Sequence, residues 1–370
     1  MYFLGRAANY KGADILRHTF AFGTKKDSDE LRAYLAAHYG TTVDHVALYH
    51  NGRSALAVAL RNLVPEKSEV VVTGFTCCAV VQAVRAAKCT PVYVDVQRED
   101  LNFGAQELLR VLKDHKGVKA VIVQNTLGRP VDIEEIEMIC EKLDLVLIED
   151  LAHCTGVRYP DGREVGTVGR AAALSFGKGK SVDTISGGAV IFNDEDDPKI
   201  KQPEKKPFFS ETLADRWYPF HGRMIRTFSY LGLGRILTGV LLKLGCIQRS
   251  ADSRLSTTTR MTHWQAKLAL EKMRKLPKNG RKPLRDFYYV EDREELLKRL
   301  KKVGYMFDEI WYEVPISPAR YYKKMHFDEK ACPVATKAAK EIINVPTGMK
   351  KADLTAAYKL IKEYQVDEEE

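Results

Sequence analysis

Short apolar segments alternate with segments of helical length through the first two-thirds of the chain, and this alternation limits the fold more than any other feature of the sequence. Strands are predicted at 46–49, 69–73, 91–96, 120–124, 145–148, 171–176 and 189–192. Helices are predicted between them at 55–63, 77–87, 104–114 and 133–143. Strands separated by helices form parallel βαβ units with right-handed crossovers. The sequence therefore predicts a doubly wound α/β domain with a mostly parallel sheet.

The length and composition leave room for a second domain. The chain has 370 residues, of which 45% are hydrophobic and 29% charged, as in ordinary globular proteins with a large core. We expect a large domain over residues 1–260, with an insertion at about 197–255, and a small C-terminal α+β domain over 261–370. In the small domain, helices are predicted at 293–303, 335–342 and 352–364, and a strand at 310–314.

Charge and cysteine usage exclude several classes of protein. The seven cysteines are scattered and odd in number, which argues against a disulfide framework. The net charge of +9 is modest and its clusters suit solvated surface, while a polyanionic or membrane-surface partner is the alternative interpretation. The sequence has no zinc-ligand spacing, no basic-region helix and no RNA-binding signature, so we expect neither a metal site nor a nucleic-acid partner. No signal peptide is recognised in residues 1–19, so a cytoplasmic protein is expected.

An acid, an imidazole and an amine follow two neighbouring predicted strands. Asp150 and His153 come after the strand at 145–148, and Lys180 follows the strand at 171–176. The carboxyl ends of strands in an open α/β sheet face the ligand crevice, so these groups are expected to converge there. Pyridoxal phosphate (PLP) requires an amine for covalent attachment, an acid at its pyridine nitrogen and donors for its phosphate. We therefore predict a PLP site, in which Lys180, Asp150 and His153 are the catalytic candidates.

The phosphate donors are sought in two places. The turn Gly52-Arg53-Ser54 stands between a strand and a helix, where backbone N–H groups and the positive end of the helix point at an anion. Ser175 lies at the end of its strand. Lys178 is a second candidate for the covalent lysine. Taken singly, each of these residues has an ordinary structural explanation, such as a helix cap or a surface lysine.

The ordered set of motifs resembles the DegT/DnrJ/EryC1/StrS family of aminotransferases. The resemblance covers residues 30–200 well and 255–360 loosely. The motifs that carry it are Asn51-Gly52-Arg53-Ser54-Ala55-Leu56, Phe75-Thr76, Pro91-Val92-Tyr93-Val94-Asp95-Val96, Gly128-Arg129-Pro130, Glu149-Asp150-Leu151-Ala152-His153, Ser175-Phe176, Lys180 and Gly187-Gly188.

The resemblance implies the PLP fold-type I architecture of aspartate aminotransferase, and it assigns roles to the matching residues. Lys180 would hold the cofactor covalently, Asp150 would pair with the pyridine nitrogen and His153 would contact the phenolic oxygen. The phosphate would be bound by the Gly52-Arg53-Ser54 turn and Ser175.

The resemblance also implies the reaction and the partners. An amino group would move from an amino acid, glutamate by the family resemblance, to a keto sugar of the nucleotide-linked class. The site would lie at a homodimer interface. The pathway would be the biosynthesis of a cell-surface polysaccharide or a secondary metabolite.

Three positions depart from the family pattern. Cys77 stands where the family has an aromatic residue that stacks on the cofactor ring, and Phe75 is the candidate to take over that stacking. Gly177 stands in place of a usual histidine, and Thr258 in place of a usual asparagine. These changes leave open a non-sugar or lipid-linked acceptor, or a non-catalytic descendant of the fold.

Residues 228–247 form a mostly apolar segment that contains Arg235, Lys243 and four glycines. Two charges make it a poor transmembrane span. Ordinary helices packed on the domain or a partner subunit are one interpretation, and a peripheral membrane contact is the other.

Overall fold

The computed structural model describes residues 2–4, 10–277, 280–307 and 310–366 of the chain. The strands are β1 (Tyr2–Phe3), β2 (Val46–Tyr49), β3 (Glu69–Thr73), β4 (Thr76–Cys77), β5 (Thr90–Val94), β6 (Val118–Val123), β7 (Val146–Asp150), β8 (Ala171–Ser175), β9 (Gly188–Phe192), β10 (Arg285–Tyr289), β11 (Tyr305–Met306), β12 (Ile316–Ser317) and β13 (Ile342–Pro346). The helices are α1 (Gly12–Thr19), α2 (Lys25–Tyr39), α3 (Gly52–Leu63), α4 (Cys78–Ala86), α5 (Ala105–Asp114), α6 (Ile133–Lys142), α7 (Phe209–Tyr230), α8 (Gly234–Lys243), α9 (His263–Met273), α10 (Arg293–Lys302), α11 (Ala319–Tyr322), α12 (Pro333–Glu341) and α13 (Thr355–Tyr364).

A seven-stranded sheet forms the centre of the molecule, in the order β2-β9-β8-β7-β6-β3-β5. The pairs from β8 to β5 are parallel, whereas β9 is antiparallel to both of its neighbours. This confirms the predicted α/β class and the mostly parallel sheet. Tyr49 and Ser175 both pair with Gly188, so the ends of β2 and β8 meet the start of β9 at one edge.

Both faces of the sheet are covered by helices, as the apolar sequence of its strands requires. Successive side chains of β3 enter opposite layers: Val71 packs in one core with α2, α5 and α6, while Val70 and Val72 pack in the other with α3 and α4. This period-two alternation turns a fully apolar strand into the middle of a three-layer structure.

Helix α9 belongs to the core of the sheet. Ala266, Leu270 and Met273 pack in the same cluster as α2 and the sheet. This position lies beyond the boundary expected at residue 260. We therefore propose that the large domain extends through α9 and that the small domain begins near β10.

The small domain is built around the antiparallel pair β10 and β13, flanked by α10, α12 and α13. The N-terminus joins it, because β1 pairs with β11 and Leu4 is buried among α10 and α13. The sequence predicted neither β10 nor β13. The strand predicted at 310–314 is wrong, since these residues form turns and bends before β12.

The insertion after β9 begins with a loop and continues as α7 and α8. Residues 228–247, whose structure the sequence left open, supply the end of α7 and all of α8. In the described part of the chain, no helix has both the length and the apolar character that crossing a bilayer requires.

Candidate active site

A cavity of ≈ 240 Å³ lies at the carboxyl edge of the sheet, where the loops after β2, β7 and β8 meet. Most of the residues predicted for the site line it. They are Gly52, Arg53, Cys77, Asp150, His153, Ser175 and Lys180. The structure therefore brings together groups that lie as much as 128 positions apart in the sequence.

The loop that carries Lys180 is shaped by one carboxylate. Asp183 accepts hydrogen bonds from the backbone N–H groups of Gly179 (2.8 Å) and Ile185 (2.9 Å), and from the Tyr10 hydroxyl (3.0 Å). Both Gly179 (φ 75°) and Ile185 (φ 73°) have left-handed backbone, which is strained for an isoleucine. The Asp183 contacts offset this strain and hold the loop against the cavity.

The ammonium group of Lys180 lies deep in the cavity, although the residue as a whole is half-buried. Its Nζ is 4.7 Å from the centroid of the Trp311 ring. Desolvation lowers the pKa of Lys180, while the nearby Cys77 and Asp150 act against this shift. A buried lysine with a lowered pKa has a larger neutral fraction, and only the neutral amine can act as a nucleophile or a base.

Asp150 ends β7 and is buried. One carboxylate oxygen accepts a hydrogen bond from the backbone N–H of Ala152 (2.9 Å). Burial raises the pKa of Asp150 to about 6, against the favourable effects of that hydrogen bond and of Lys180. A carboxylate in this environment is stabilised by any further positive charge or donor that enters the cavity.

His153 is buried in one tautomer. The backbone N–H of Leu127 donates to its Nδ1 (3.2 Å), so Nδ1 carries no proton and the neutral ring carries its hydrogen on Nε2. Desolvation, together with Lys180 and Arg285, lowers the pKa of His153 well below its usual value. Its Nε2 lies 3.3 Å from the Tyr312 hydroxyl. His153 is thus a neutral hydrogen-bond donor with a fixed direction.

Lys178, the second candidate for the covalent lysine, points toward the insertion. Its Nζ donates to the Gln248 carbonyl and lies 4.1 Å from the centroid of the Tyr218 ring. Lys180, by contrast, acts electrostatically on Asp150, where its charge lowers the pKa of the carboxyl group. The geometry favours Lys180.

The N-terminus of α3 packs closely on the end of β8. The Asn51 side chain caps the helix by accepting from the Ser54 N–H (2.9 Å). A Cβ atom at Gly52 would stand 2.6 Å from Ser175 Cβ, so only glycine fits there. This close approach places Ser175 beside the positive end of α3, as a phosphate site requires.

Arg53 and Ser54 differ from the expectation that the whole turn points at a phosphate. Arg53 lines the cavity, but its terminal nitrogens donate to the carbonyls of Ser250, Ala251 and Ser253 and hold that loop. Ser54 is buried behind the cavity wall, where its hydroxyl donates to Asn51 Oδ1 (2.9 Å). Ser54 is therefore a helix-cap residue and does not line the cavity.

Of Cys77 and Phe75, only Cys77 lines the cavity. Cys77 lines the cavity at the start of α4, and a hydrogen bond with Cys78 lowers its pKa. Phe75 is fully buried and packs on Tyr312, with ring centroids 4.8 Å apart. Phe75 therefore supports the wall from behind and cannot take the ring-stacking place.

Several cavity residues were missed by the sequence argument. Trp311 and Tyr312 come from the segment that was predicted as a strand, and Trp311 lies 5.4 Å from the His153 ring, centroid to centroid. Gln124 follows β6 and accepts a hydrogen bond from the Thr76 hydroxyl. An aromatic pair three residues before Pro315 was the signal available for Trp311 and Tyr312.

The opposite wall of the cavity comes from the insertion. Tyr218 of α7, Leu242 of α8 and the following Ile247 and Arg249 line it. Asp215 anchors α7 there, because its carboxylate accepts from the Ser186 hydroxyl (2.5 Å) and the Gln265 amide (3.2 Å). This wall is more apolar than the wall formed by the strand ends.

Comparison with known proteins agrees with this arrangement. The model of the DegT/DnrJ/EryC1/StrS aminotransferase family matches residues 13–288. GDP-perosamine synthase of Escherichia coli O157:H7 is 33% identical over 158 residues, which is 42% of this chain and 41% of that protein. The pleiotropic regulatory protein of Geobacillus stearothermophilus is 26% identical over 334 residues, covering 87% of this chain and 83% of its own.

The matched segment thus spans about two-fifths of the GDP-perosamine synthase, so the likeness in sequence is partial. The likeness in fold is complete. The PLP form of Spr1654 from Streptococcus pneumoniae superposes with a TM-score of 0.68 at 17% identity, over 98% of both chains. Because the family model matches about three-quarters of the sequence, from residue 13 to residue 288, the chain belongs to the DegT/DnrJ/EryC1/StrS aminotransferase family.

Proposed function

We propose that this protein is a PLP-dependent aminotransferase that moves an amino group from an amino acid to a keto sugar. The observation that carries the proposal is the convergence of Lys180, Asp150 and His153 in one cavity at the edge of the sheet. Desolvation keeps His153 neutral and enlarges the neutral fraction of Lys180, as their proposed roles require. Family membership supports the reaction class.

The cavity fits PLP by the chemistry of its donors. Arg53 Nε is buried and has no hydrogen-bond partner among the described residues, and Arg53 lines the cavity from the N-terminus of α3. An orphaned buried donor at a helix N-terminus suits a phosphate oxygen. Asp150, Lys180 and the Nε2–H of His153 supply the acid, the amine and the donor that the ring requires.

PLP, when bound, supplies an electron sink that stabilises negative charge on the donor's Cα. Asp150 would accept the hydrogen bond of the pyridine N–H and hold that proton in place. His153 would donate from Nε2 to the phenolic oxygen. Gly52, Arg53 and Ser175 would bind and orient the phosphate.

Lys180 would hold the cofactor and, once displaced by the donor amino acid, take the proton from the donor's Cα. Its lowered pKa favours this step, because the neutral amine is the active form. The same amine would then hold this proton at Nζ and release it to complete the transfer. Trp311, which covers the Lys180 amine, would help to exclude water from this transfer.

The acceptor is proposed to be a nucleotide-linked keto sugar, and glutamate the amino donor. Arg249 on the insertion wall suits a diphosphate group. A second candidate is a lipid-linked sugar, which the apolar Leu242 and Ile247 on the same wall favour. We further propose that the enzyme is a cytoplasmic homodimer, as the family resemblance implies.

The test is a set of absorbance spectra of the PLP-loaded protein, with and without glutamate. We expect glutamate to bleach the visible band of the lysine-bound cofactor in the wild type and in Lys178→Ala. Lys180→Ala should lack this band. A wild-type band that glutamate and other amino acids leave unchanged would contradict the proposal.

The acceptor is identified in a second step. The glutamate-treated enzyme is offered nucleotide-linked keto sugars and, separately, lipid-linked ones, and the aminated product is measured by mass spectrometry. Recovery of the lysine-bound band should accompany product formation, since both require the second half-reaction.

A further inference from the structure

The outer face of α7 exposes large apolar side chains along its whole length. Their spacing of three and four residues puts them on one side of the helix. They are Phe209, Leu213, Trp217, Phe220, Phe228 and Leu231, with 80%, 44%, 37%, 41%, 37% and 70% of their surface exposed. The opposite side of the same helix is buried against the protein through Ala214, Tyr218 and Ile225.

Helix α8 repeats this arrangement. Leu233, Ile236, Val240 and Leu244 are 44%, 65%, 47% and 69% exposed, again at helical spacing, while Leu241 is buried. The two helices pack on each other, because Tyr218 and Ile225 share a cluster with Leu241. We call the exposed side of α7 and α8 the outer face.

The end of α1 extends the outer face. Arg216 donates to the carbonyls of Thr19 (3.0 Å) and Ala21 (2.8 Å), which fixes this segment beside α7. Phe20 and Phe22 in this segment are 73% and 75% exposed. Single exposed apolar residues are common, but a surface with this many marks a contact with a partner.

The charge of the segment identifies the kind of partner. Between residues 216 and 249 the sequence contains no Asp or Glu, and its cations are Arg216, Arg223, Arg226, Arg235, Lys243 and Arg249. Arg223 and Lys243 are exposed and stand one turn from Phe220 and Val240, at the edge of the outer face. An apolar helix face bordered by cations fits an anionic lipid surface, with the apolar side chains among the acyl chains and the cations at the headgroups.

We propose that the outer face docks this enzyme on an anionic membrane surface, a property that goes beyond its proposed reaction. A second copy of the chain fits this face less well. If two copies met through this face alone, the cations of residues 216–249 would face one another, with no acid in that range to pair with them.

The position of the outer face gives the docking a consequence. Tyr218 and Leu242 line the cavity from the inner side of the same two helices. Binding through α7 and α8 therefore holds the cavity wall next to the bilayer, within reach of substrates at the membrane surface.

The test is co-sedimentation of the PLP-loaded protein with vesicles of phosphatidylcholine, alone or mixed with phosphatidylglycerol. We expect binding to the mixed vesicles only, weakened by salt, with a blue shift of the Trp217 fluorescence that Trp217→Phe removes. The double variant Leu231→Ser/Leu244→Ser should lower the partition into vesicles by about tenfold or more.

The matched control is Leu109→Ser/Leu143→Ser, which replaces two exposed leucines on α5 and after α6. This control should bind vesicles like the wild type. The proposal is overturned if the wild type binds the mixed vesicles no better than pure phosphatidylcholine. It is equally overturned if the Leu231/Leu244 variant keeps full vesicle binding, or if its one effect is to dissociate an oligomer in light scattering. Bleaching by glutamate in both variants keeps this result separate from the proposed reaction.

Discussion

The two walls of the cavity are built in different ways. The wall at the strand ends holds Asp150, Ser175 and Lys180, whose positions follow from the pairing of β7, β8 and β9. The wall from the insertion consists of side chains on two helices that cover the sheet edge from outside. The first wall is polar and fixed by backbone hydrogen bonds. The second is mostly apolar and held by packing and by Asp215. We propose that the first wall carries the chemistry and that the second wall selects the acceptor.

The largest expected effect is at Lys180, where a substitution tests whether the wall at the strand ends carries the chemistry. We expect Lys180→Ala to lower the transfer rate by about 10³-fold, because the proton-transfer group is lost. The Lys178 side chain points toward the insertion wall, so the transfer rate of Lys178→Ala should stay within a few-fold of the wild-type rate. Single-turnover kinetics with glutamate measures both. The opposite ranking would move the chemistry to Lys178.

Substitution of Asp150 tests how much the polar wall adds to the rate and how much it lowers the stability of the fold. Asp150→Asn should lower the rate by about 10²-fold, because the pyridine proton loses its carboxylate partner. In the cofactor-free protein the same change should stabilise the fold at pH 7 by about 2–3 kcal/mol, since burial raises the pKa of Asp150 from 3.8 to about 6.

The sign of this pH dependence follows from proton binding. Between about pH 4 and pH 6 the native state holds the Asp150 proton more tightly than the unfolded state, so wild-type stability falls as the pH rises through this window. The advantage of Asp150→Asn should therefore be absent at pH 4 and complete above pH 6. Urea unfolding at several pH values measures it. An equal difference at all pH values would contradict the assignment.

Trp311 and Trp217 compare the inside of the cavity with the outer face. Trp311→Ala uncovers the Lys180 amine and removes a ring contact with His153, so we expect cofactor affinity to fall by about tenfold. Trp217→Ala, on the outer face, should leave that affinity unchanged within about twofold. Fluorescence titration with PLP measures both. Equal losses of cofactor affinity in the two variants would show that the outer face and the cavity are not independent.

The smallest expected effect concerns the acceptor. Leu242→Ala shortens a side chain on the insertion wall and should raise the KM for the acceptor by about threefold, with the glutamate half-reaction unchanged. Leu233→Ala, on the outer face, is the control and should leave both unchanged. A slower glutamate half-reaction in Leu242→Ala would extend the chemistry to the insertion wall.

Much of the first wall could be predicted from the sequence. Apolar runs such as residues 146–148 are typical of the buried strands of a parallel sheet. The carboxyl ends of those strands lie at one edge of the sheet. A residue such as Asp150, placed directly after such a run, therefore has a known location. Lys180 follows from the same argument.

The small domain and several side chains around the cavity could not be predicted in this way. Strands β10 and β13 are 53 positions apart at their closest ends, and their pairing depends on long-range packing rather than on local pattern. The segment with Trp311 has no regular structure, so periodicity carries no information about it. Ser54 and Phe75 lie within two positions of cavity residues in the sequence, yet neither lines the cavity.

The sequence by itself determined the alternation of strands and helices, the edge at which the polar groups gather, and the family. These depend on local periodicity and on backbone geometry, which short segments of sequence encode. Only the tertiary structure decided the direction of each side chain, the tautomer of His153, the burial of Asp150 and Lys180, and the exposure of the apolar face of α7 and α8. Those properties arise from contacts between distant segments, and no local pattern specifies them.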